Sequence, residues 1–119
     1  MSELLDSRAR ILEALDAGGI RTATTGKFAA PCVLIEPGDP WSEPVRMPGR
    51  VARWRLTAVG GRADSDGALE ILGGIVDGAN AALRTIDGCQ APTWARPFDL
   101  VLGGVSYGAS VATIQIASS

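Results

Sequence analysis

Few side chains in this sequence could do chemistry, and their types decide most of what they can do. Ser106 and Ser110 are candidate nucleophiles, but a serine hydroxyl needs a neighbouring base, and the chain has no histidine. A Ser-His-Asp arrangement is therefore impossible. The same absence removes the commonest metal ligand and the usual proton carrier at neutral pH. Asp64 and Asp66, with Glu70 close behind, come nearest to paired carboxylates. Their spacing matches no calcium loop, and acids at the start of a helix act as caps and as partners of the helix dipole. Cys32 and Cys89 are too few and too isolated for a metal site of ordinary spacing, and are read as buried free thiols. Gly73-Gly74 lacks the flanking residues of GxGxxG or GxxxxGK[ST], so it cradles no phosphate. The sequence thus predicts no catalytic residue, no cofactor, no metal and no enzyme.

Arginine is the patterned polar residue. Arg46, Arg50, Arg53, Arg55 and Arg62 stand between positions 45 and 63 without one acid, whereas positions 100–119 carry no charge of either sign. A net charge of −2 argues against binding of nucleic acid by the whole chain. Arg53 and Arg55 alternate on the outward side of one expected strand. They face water, the acids of a neighbouring copy, or DNA phosphates, in that order of preference. A second feature is the stretch 36–49, which holds four prolines, two glycines and Trp41. Read as the longest loop of the chain, it is of a length that small domains reserve for function or leave disordered. Trp41 either folds back on the core or anchors an interface, where aromatics, Met and Arg concentrate, and Trp41, Arg46 and Met47 fall together here.

These residues must be positioned by an organising pair, a strand over 51–59 and a helix over 68–86. In the strand Ala52, Trp54, Leu56 and Ala58 share one face, and Arg53, Arg55 and Thr57 the other. One face is expected to be core, the other wet or in contact with a partner. In the helix Ala68, Leu72, Ile75, Ala79, Ala82 and Ile86 form a stripe, widened by Leu69, Val76 and Leu83, that should lie on Trp54 and Leu56. Asp64, Ser65 and Asp66 are expected to cap it, and Gly73-Gly74 to allow close approach to the sheet.

A first helix, capped by Ser2, is expected to present Leu4, Leu5, Ala9, Ile11, Leu12 and Leu15 and to end at Gly18-Gly19. Positions 20–29 read as a weak strand or a loop, and 31–36 as a short strand bounded by Pro37-Gly38. Gly103-Gly104 signals a tight type I′ hairpin pairing Leu102 with Val105, Leu100 with Tyr107 and Phe98 with Ala109. The apolar parity then slips between Ala109 and Ala112, which a bulge at 108–110 would reconcile. The uncharged final strand must be central, covered, or paired with a neighbour, because a bare edge invites another chain.

Together these elements predict one domain over 1–119 of α+β class, a single mixed or antiparallel sheet of about four to five strands with two helices packed on it. No run of about 18 apolar residues could span a membrane, and the first residues lack the pattern of a secretory signal.

The order of parts resembles the tail terminator proteins of long-tailed bacteriophages over nearly the whole chain. The resemblance rests on a first helix with Leu12-Glu13-Ala14-Leu15, a strand Pro31-Cys32-Val33-Leu34-Ile35, and Gly38-Asp39-Pro40-Trp41 after it. A strand with Trp54-Arg55-Leu56, a helix through Ala68-Leu69 and Leu83, and a closing strand after Tyr107 complete it. It implies a structural virion protein forming a hexameric ring at the head-side end of the tail. Such a ring sits on the tail tube protein, ends tube polymerisation and meets the head-tail connector or stopper protein. Genomic DNA passes through its bore without sequence-specific binding. By the same resemblance the loop with Asp39, Trp41, Arg46 and Met47 reaches a neighbour or the tube, and Arg53 or Arg55 lies at a subunit boundary or the bore. Assembly would take place in the bacterial host cytoplasm. A neck stopper ring and a small ligand-binding α/β domain are the competing expectations.

Overall fold

Three long strands carry the fold in the computed structural model, which describes residues 3–23, 30–44, 50–64 and 66–118. The elements in chain order are α1 (Glu3–Ala17), β1 (Thr22–Ala23), β2 (Cys32–Pro44), β3 (Arg50–Arg62), α2 (Ala68–Leu83), β4 (Thr93–Trp94), β5 (Phe98–Leu102) and β6 (Val105–Ser118). They form one mixed sheet in the order β1-β2-β3-β6, with β4 and β5 following one another along the far side of β6. Only β1 with β2 is parallel; the other pairings are antiparallel. The expected α+β architecture is the one observed.

β6 is central, the first of the three placements its lack of charge allowed. One side pairs with β3 from Tyr107 to Ser118. The other is occupied by β5, then β4, then the segment around Cys89, which bridges to Ile116. The strand is finished within its own chain, so its uncharged sequence carries no argument for a second copy.

The hairpin register is the expected one: Leu102↔Val105, Leu100↔Tyr107 and Phe98↔Ala109, with Gly103 and Gly104 at φ 59° and 79° supplying the left-handed turn. The bulge is elsewhere. β6 pairs with β5 in unbroken register through Gly108, and the ladder to β3 shifts between Val59 and Arg62, putting the extra residue in β3. The slip in apolar parity has another cause. Directly opposed residues share a face, so Val33, Ile35, Trp54, Leu56, Ala112, Ile114 and Ile116 lie on one side of the sheet, under the helices. Cys32, Leu34 and Val59 lie on the other, with Leu100, Leu102 and Tyr107 packed against them. The apolar surface changes sides along the sheet, and β6 follows it without a bulge. The outward face of β3 is therefore core from Thr57 on, where a wet face was expected.

α2 buries Leu72, Ala79, Ala82 and Leu83, the last three in one cluster with Trp54 and Leu56 and the first against Gly60 of β3. Leu69 was expected to widen that stripe and instead lies 69% exposed in the first turn. The helix begins at Gly67, at φ 78°, with no side-chain cap, so Asp64 and Asp66 do not serve as the caps expected of them; Ser65 lies outside the described residues. Close approach of helix to sheet occurs at Gly60, where a Cβ would stand 3.1 Å from Leu72, while Gly73 and Gly74 face open space. In α1 the buried line is Ser7, Ile11 and Leu15, one turn apart, and Leu5 and Ala9 point away. Leu4's side chain and the proposed cap Ser2 fall outside the description.

Candidate interaction surfaces

Trp54 is the point where the elements meet. Its side chain is 2% exposed, and its indole N–H donates to Ser7 Oγ at 2.8 Å. A buried indole without an acceptor costs about 1–3 kcal/mol, which explains a serine on the otherwise apolar line of α1. Trp41 and Trp54 meet in a T-shaped pair, centroids 5.6 Å apart and planes at 85°, the arrangement that opposes positive edge to negative face. Trp94 adds a further tie, donating to Asn80 Oδ1 at 2.8 Å and joining β4 to α2.

The stretch expected to be a loop is strand as far as Pro44. Its prolines and glycine are accommodated because β2 loses register between Pro37 and Ser42, looping residues out of the ladder. Gly38 is required there: a Cβ would lie 2.9 Å from the Cβ of Arg53. The bulge holds Asp39 in solvent and turns Trp41 back onto Trp54, yet leaves it 38% exposed. Trp41 thus folds back on the core, one of its two expected readings, while part of its surface stays open.

Arg53 and Arg55 lie on the sheet face away from the helices. Arg55 stands opposite Glu36, and its Nη2 contacts both carboxylate oxygens at 3.2 and 3.3 Å. With half of its side chain in solvent this pair contributes a fraction of a kcal/mol, and it gives Arg55 an acidic partner within the subunit, where water or a neighbouring copy was expected. Arg53 is half-buried opposite Gln115. Arg46 and Met47 lie outside the described residues. Of the six expected contact residues, Trp41, Arg53 and Asp39 are gathered on the β2–β3 hairpin, and Arg55 is diverted to Glu36.

The remaining reactive groups are placed for structure. Asp64 pairs with Arg62 at 3.5 Å in solvent. Ser110 is buried and donates to the Ala95 carbonyl at 2.6 Å, holding the chain beside β6. Cys32 is buried and Cys89 half-buried, and neither is in a disulfide. Burial pushes the Cys89 thiol above its ordinary value, against a smaller downward pull from Arg10, so it is a poor nucleophile. Among the described residues no group of acids and cysteines has the arrangement of a metal site.

At the opposite end of β3 lies a surface that the sequence reading did not single out. A groove of about 530 Å³ runs between the first turn of α2 and β5, lined by Leu69, Leu72, Phe98, Asp99 and Gly108 among others. Phe98 is 40% and Val101 62% exposed beside it, with Leu69 and Ile71 on the facing helix. The signal was present in a strand, Phe98-Asp99-Leu100-Val101-Leu102, apolar at both parities and followed by a tight turn, which fits one buried side and one awaiting cover.

The arrangement defines an α+β protein whose distinctive features are a tryptophan-bearing hairpin at one end and an exposed apolar edge at the other. No protein-family model matches the chain, and no curated protein matches its sequence. Among the described residues, no helix is long and apolar enough to cross a membrane.

Proposed function

We propose that this protein is a structural subunit of a long-tailed bacteriophage virion, a tail terminator that forms a ring, hexameric by resemblance, on the end of the tail tube. The ring halts tube polymerisation and receives the head-side connector or stopper, and DNA passes through its bore without base-specific contact. One observation carries this reading: Trp41, held by Trp54 on a proline-bulged strand, keeps 38% of its surface in solvent at a fixed position on the β2–β3 hairpin. Aromatics concentrate at interface centres, and a tryptophan packed on the core yet partly exposed is placed to serve as an anchor. The molecule is also elongated, 49 Å by 25 Å by 24 Å, with the hairpin running on past Trp54 to Pro44 and Arg50. An arm of that kind can reach a neighbouring subunit. The uncharged β6 no longer supports the ring, so the proposal stands on the hairpin and the order of elements.

The test has two parts. Native mass spectrometry should give a closed assembly of six, alone or on tail tubes, and electron microscopy should show the protein at one end of tubes that have stopped growing. Trp41→Ala and Arg53→Glu should each weaken the assembly. Rings or capped tubes unchanged by both substitutions would dispose of the assignment. The groove beside β5 favours a second reading, a small-molecule-binding domain, because its volume is of ligand size. That reading requires saturable binding of a small molecule abolished by filling the floor with Gly108→Val.

A further inference from the structure

The two outer edges of the sheet are finished differently. β2 runs along one side and, beyond its short pairing with β1, carries Pro37, Pro40 and Pro44, the acids Glu36, Asp39 and Glu43, and a bulge. Prolines, charges and bulges are the devices that keep an edge from pairing with another chain. β5 on the other side has none of them but Asp99, and among the described residues it pairs with β6 alone. Phe98 and Val101 remain exposed along it.

The register of the hairpin fixes what β5 offers. Leu102 and Val105 close a two-residue turn, so the backbone groups of Leu102, Leu100 and Phe98 point to β6, and those of Asp99 and Val101 point outward. The same parity appears on β6, where the Ser106 carbonyl, opposite Val101, is turned away from β5 and accepts from the Ala63 N–H at 2.9 Å. Two outward positions separated by one residue are self-complementary about a twofold axis. An antiparallel second copy places Asp99 opposite Val101 of its partner, so that each pair exchanges both backbone hydrogen bonds. Leu100 then meets its own copy on the axis, and Phe98 meets Leu102.

We propose that this protein dimerises by pairing β5 with β5 of a second copy, antiparallel and centred on Leu100. On the face bearing Cys32, Leu34 and Val59 the contact is apolar throughout, and it continues a cluster to which Leu100 and Leu102 already belong. On the other face Val101 covers Asp99 of the partner, and the two aspartates stay diagonal to each other. The interface is one strand long, about 17 Å, and falls short of the roughly 800 Å² per partner of a stable complex. The dimer is consequently a reversible one, dissociating at micromolar and forming toward millimolar concentration. A twofold contact closes at two copies, so this inference concerns the free protein and does not depend on the ring.

Sedimentation equilibrium across that concentration range should show a mass rising from one chain to two. Val101→Pro deletes an N–H that β6 does not use, and should leave a folded monomer at every concentration. In a chain with both native cysteines replaced by alanine, Leu100→Cys should give a disulfide-linked dimer under mild oxidation, because opposed non-hydrogen-bonded pairs have the Cα separation a disulfide needs. Asp99→Cys, facing valine, should give far less. A wild-type chain that is monomeric at millimolar concentration, a dimer that survives Val101→Pro in a folded chain, or equal cross-linking at positions 99 and 100 each overturns the proposal. Should Val101→Pro fail to fold, the cross-linking pair decides. A mass of six untouched by Val101→Pro and by Leu100→Cys overturns it while leaving the ring standing; a twofold dimer on tubes that grow unchecked does the reverse.

Discussion

One face of one sheet is closed at its centre and open at its end, and the contrast separates what holds this protein together from what it presents to others. At the centre, Trp54 is covered by α1, met by Trp41 and flanked across the ladder by Ile114, and its single polar atom is answered by Ser7. At the end, near the first turn of α2, the sheet offers Gly108 with nothing within 4 Å of the position a Cβ would take, and Val101 on the same sheet face and Leu69 on the helix above it are exposed. The centre spends its apolar residues on folding. The end keeps them available.

The largest effect that would test this division is at the centre. Trp54→Ala should destabilise the fold by about 3–5 kcal/mol, since a buried tryptophan leaves a cavity as well as losing its transfer free energy. Urea denaturation followed by circular dichroism measures it, and a loss below about 1 kcal/mol would show that the centre is not one. Ser7→Ala should cost about 1–3 kcal/mol by orphaning the indole N–H, and Trp54→Phe in the Ser7→Ala chain should recover part of that, because the donor is then gone with its acceptor. Gly60→Ala belongs between the two regions. Its new methyl meets Leu72 at 3.1 Å, with the helix backbone at similar range, so the helix must lift and about 1–3 kcal/mol is lost.

The legible and illegible parts of the sequence divide along the same line. The Leu102↔Val105 hairpin register was readable because two adjacent glycines admit few turn geometries. Trp54 and Leu56 under α2 followed from period two meeting period 3.6. What local pattern could not give was which partner each surface finds. Ser7 breaks the apolar line of α1 for the sake of an atom 47 residues away. Pro37, Gly38 and Pro40 read as a loop, yet a register shift lets the strand resume at Ser42. The parity slip in β6 looked like a bulge because alternation reports a buried face, and a sheet whose buried face changes sides produces the same signal. Among the candidate contact residues, Trp41 was singled out by composition, but its seat on Trp54 was not legible. The Glu36 partner of Arg55 was missed because it lies across a strand pairing rather than nearby in sequence.

Smaller effects sharpen the boundary. Cys89 should react slowly with iodoacetamide at mildly alkaline pH, since burial raises its thiol and keeps the thiolate scarce, while the fully buried Cys32 should react only after unfolding. Mass spectrometry of the intact protein with and without denaturant reads both, and equal labelling in the native state would contradict the burial of Cys32. Gly73→Ala, on an exposed turn of α2 with open space around the new methyl, should raise stability by about 0.5–1 kcal/mol, opposite in sign to Gly60→Ala.

The smallest expected change is the most telling about the open end. Leu69→Gln replaces a large apolar side chain that is 69% exposed in the first turn of α2. Both residues have good helix propensity, and little apolar area leaves water in the folded subunit, so its unfolding free energy should move by less than about 0.5 kcal/mol. A core leucine exchanged for glutamine would cost several times that. Near-neutrality would mean that folding does not explain Leu69, and that an apolar residue held beside Phe98 and the groove is spare surface for contact. A loss above about 1.5 kcal/mol would instead make the first turn of α2 part of the core, remove the contrast between closed centre and open end, and leave the hairpin with Trp41 as the molecule's contact surface.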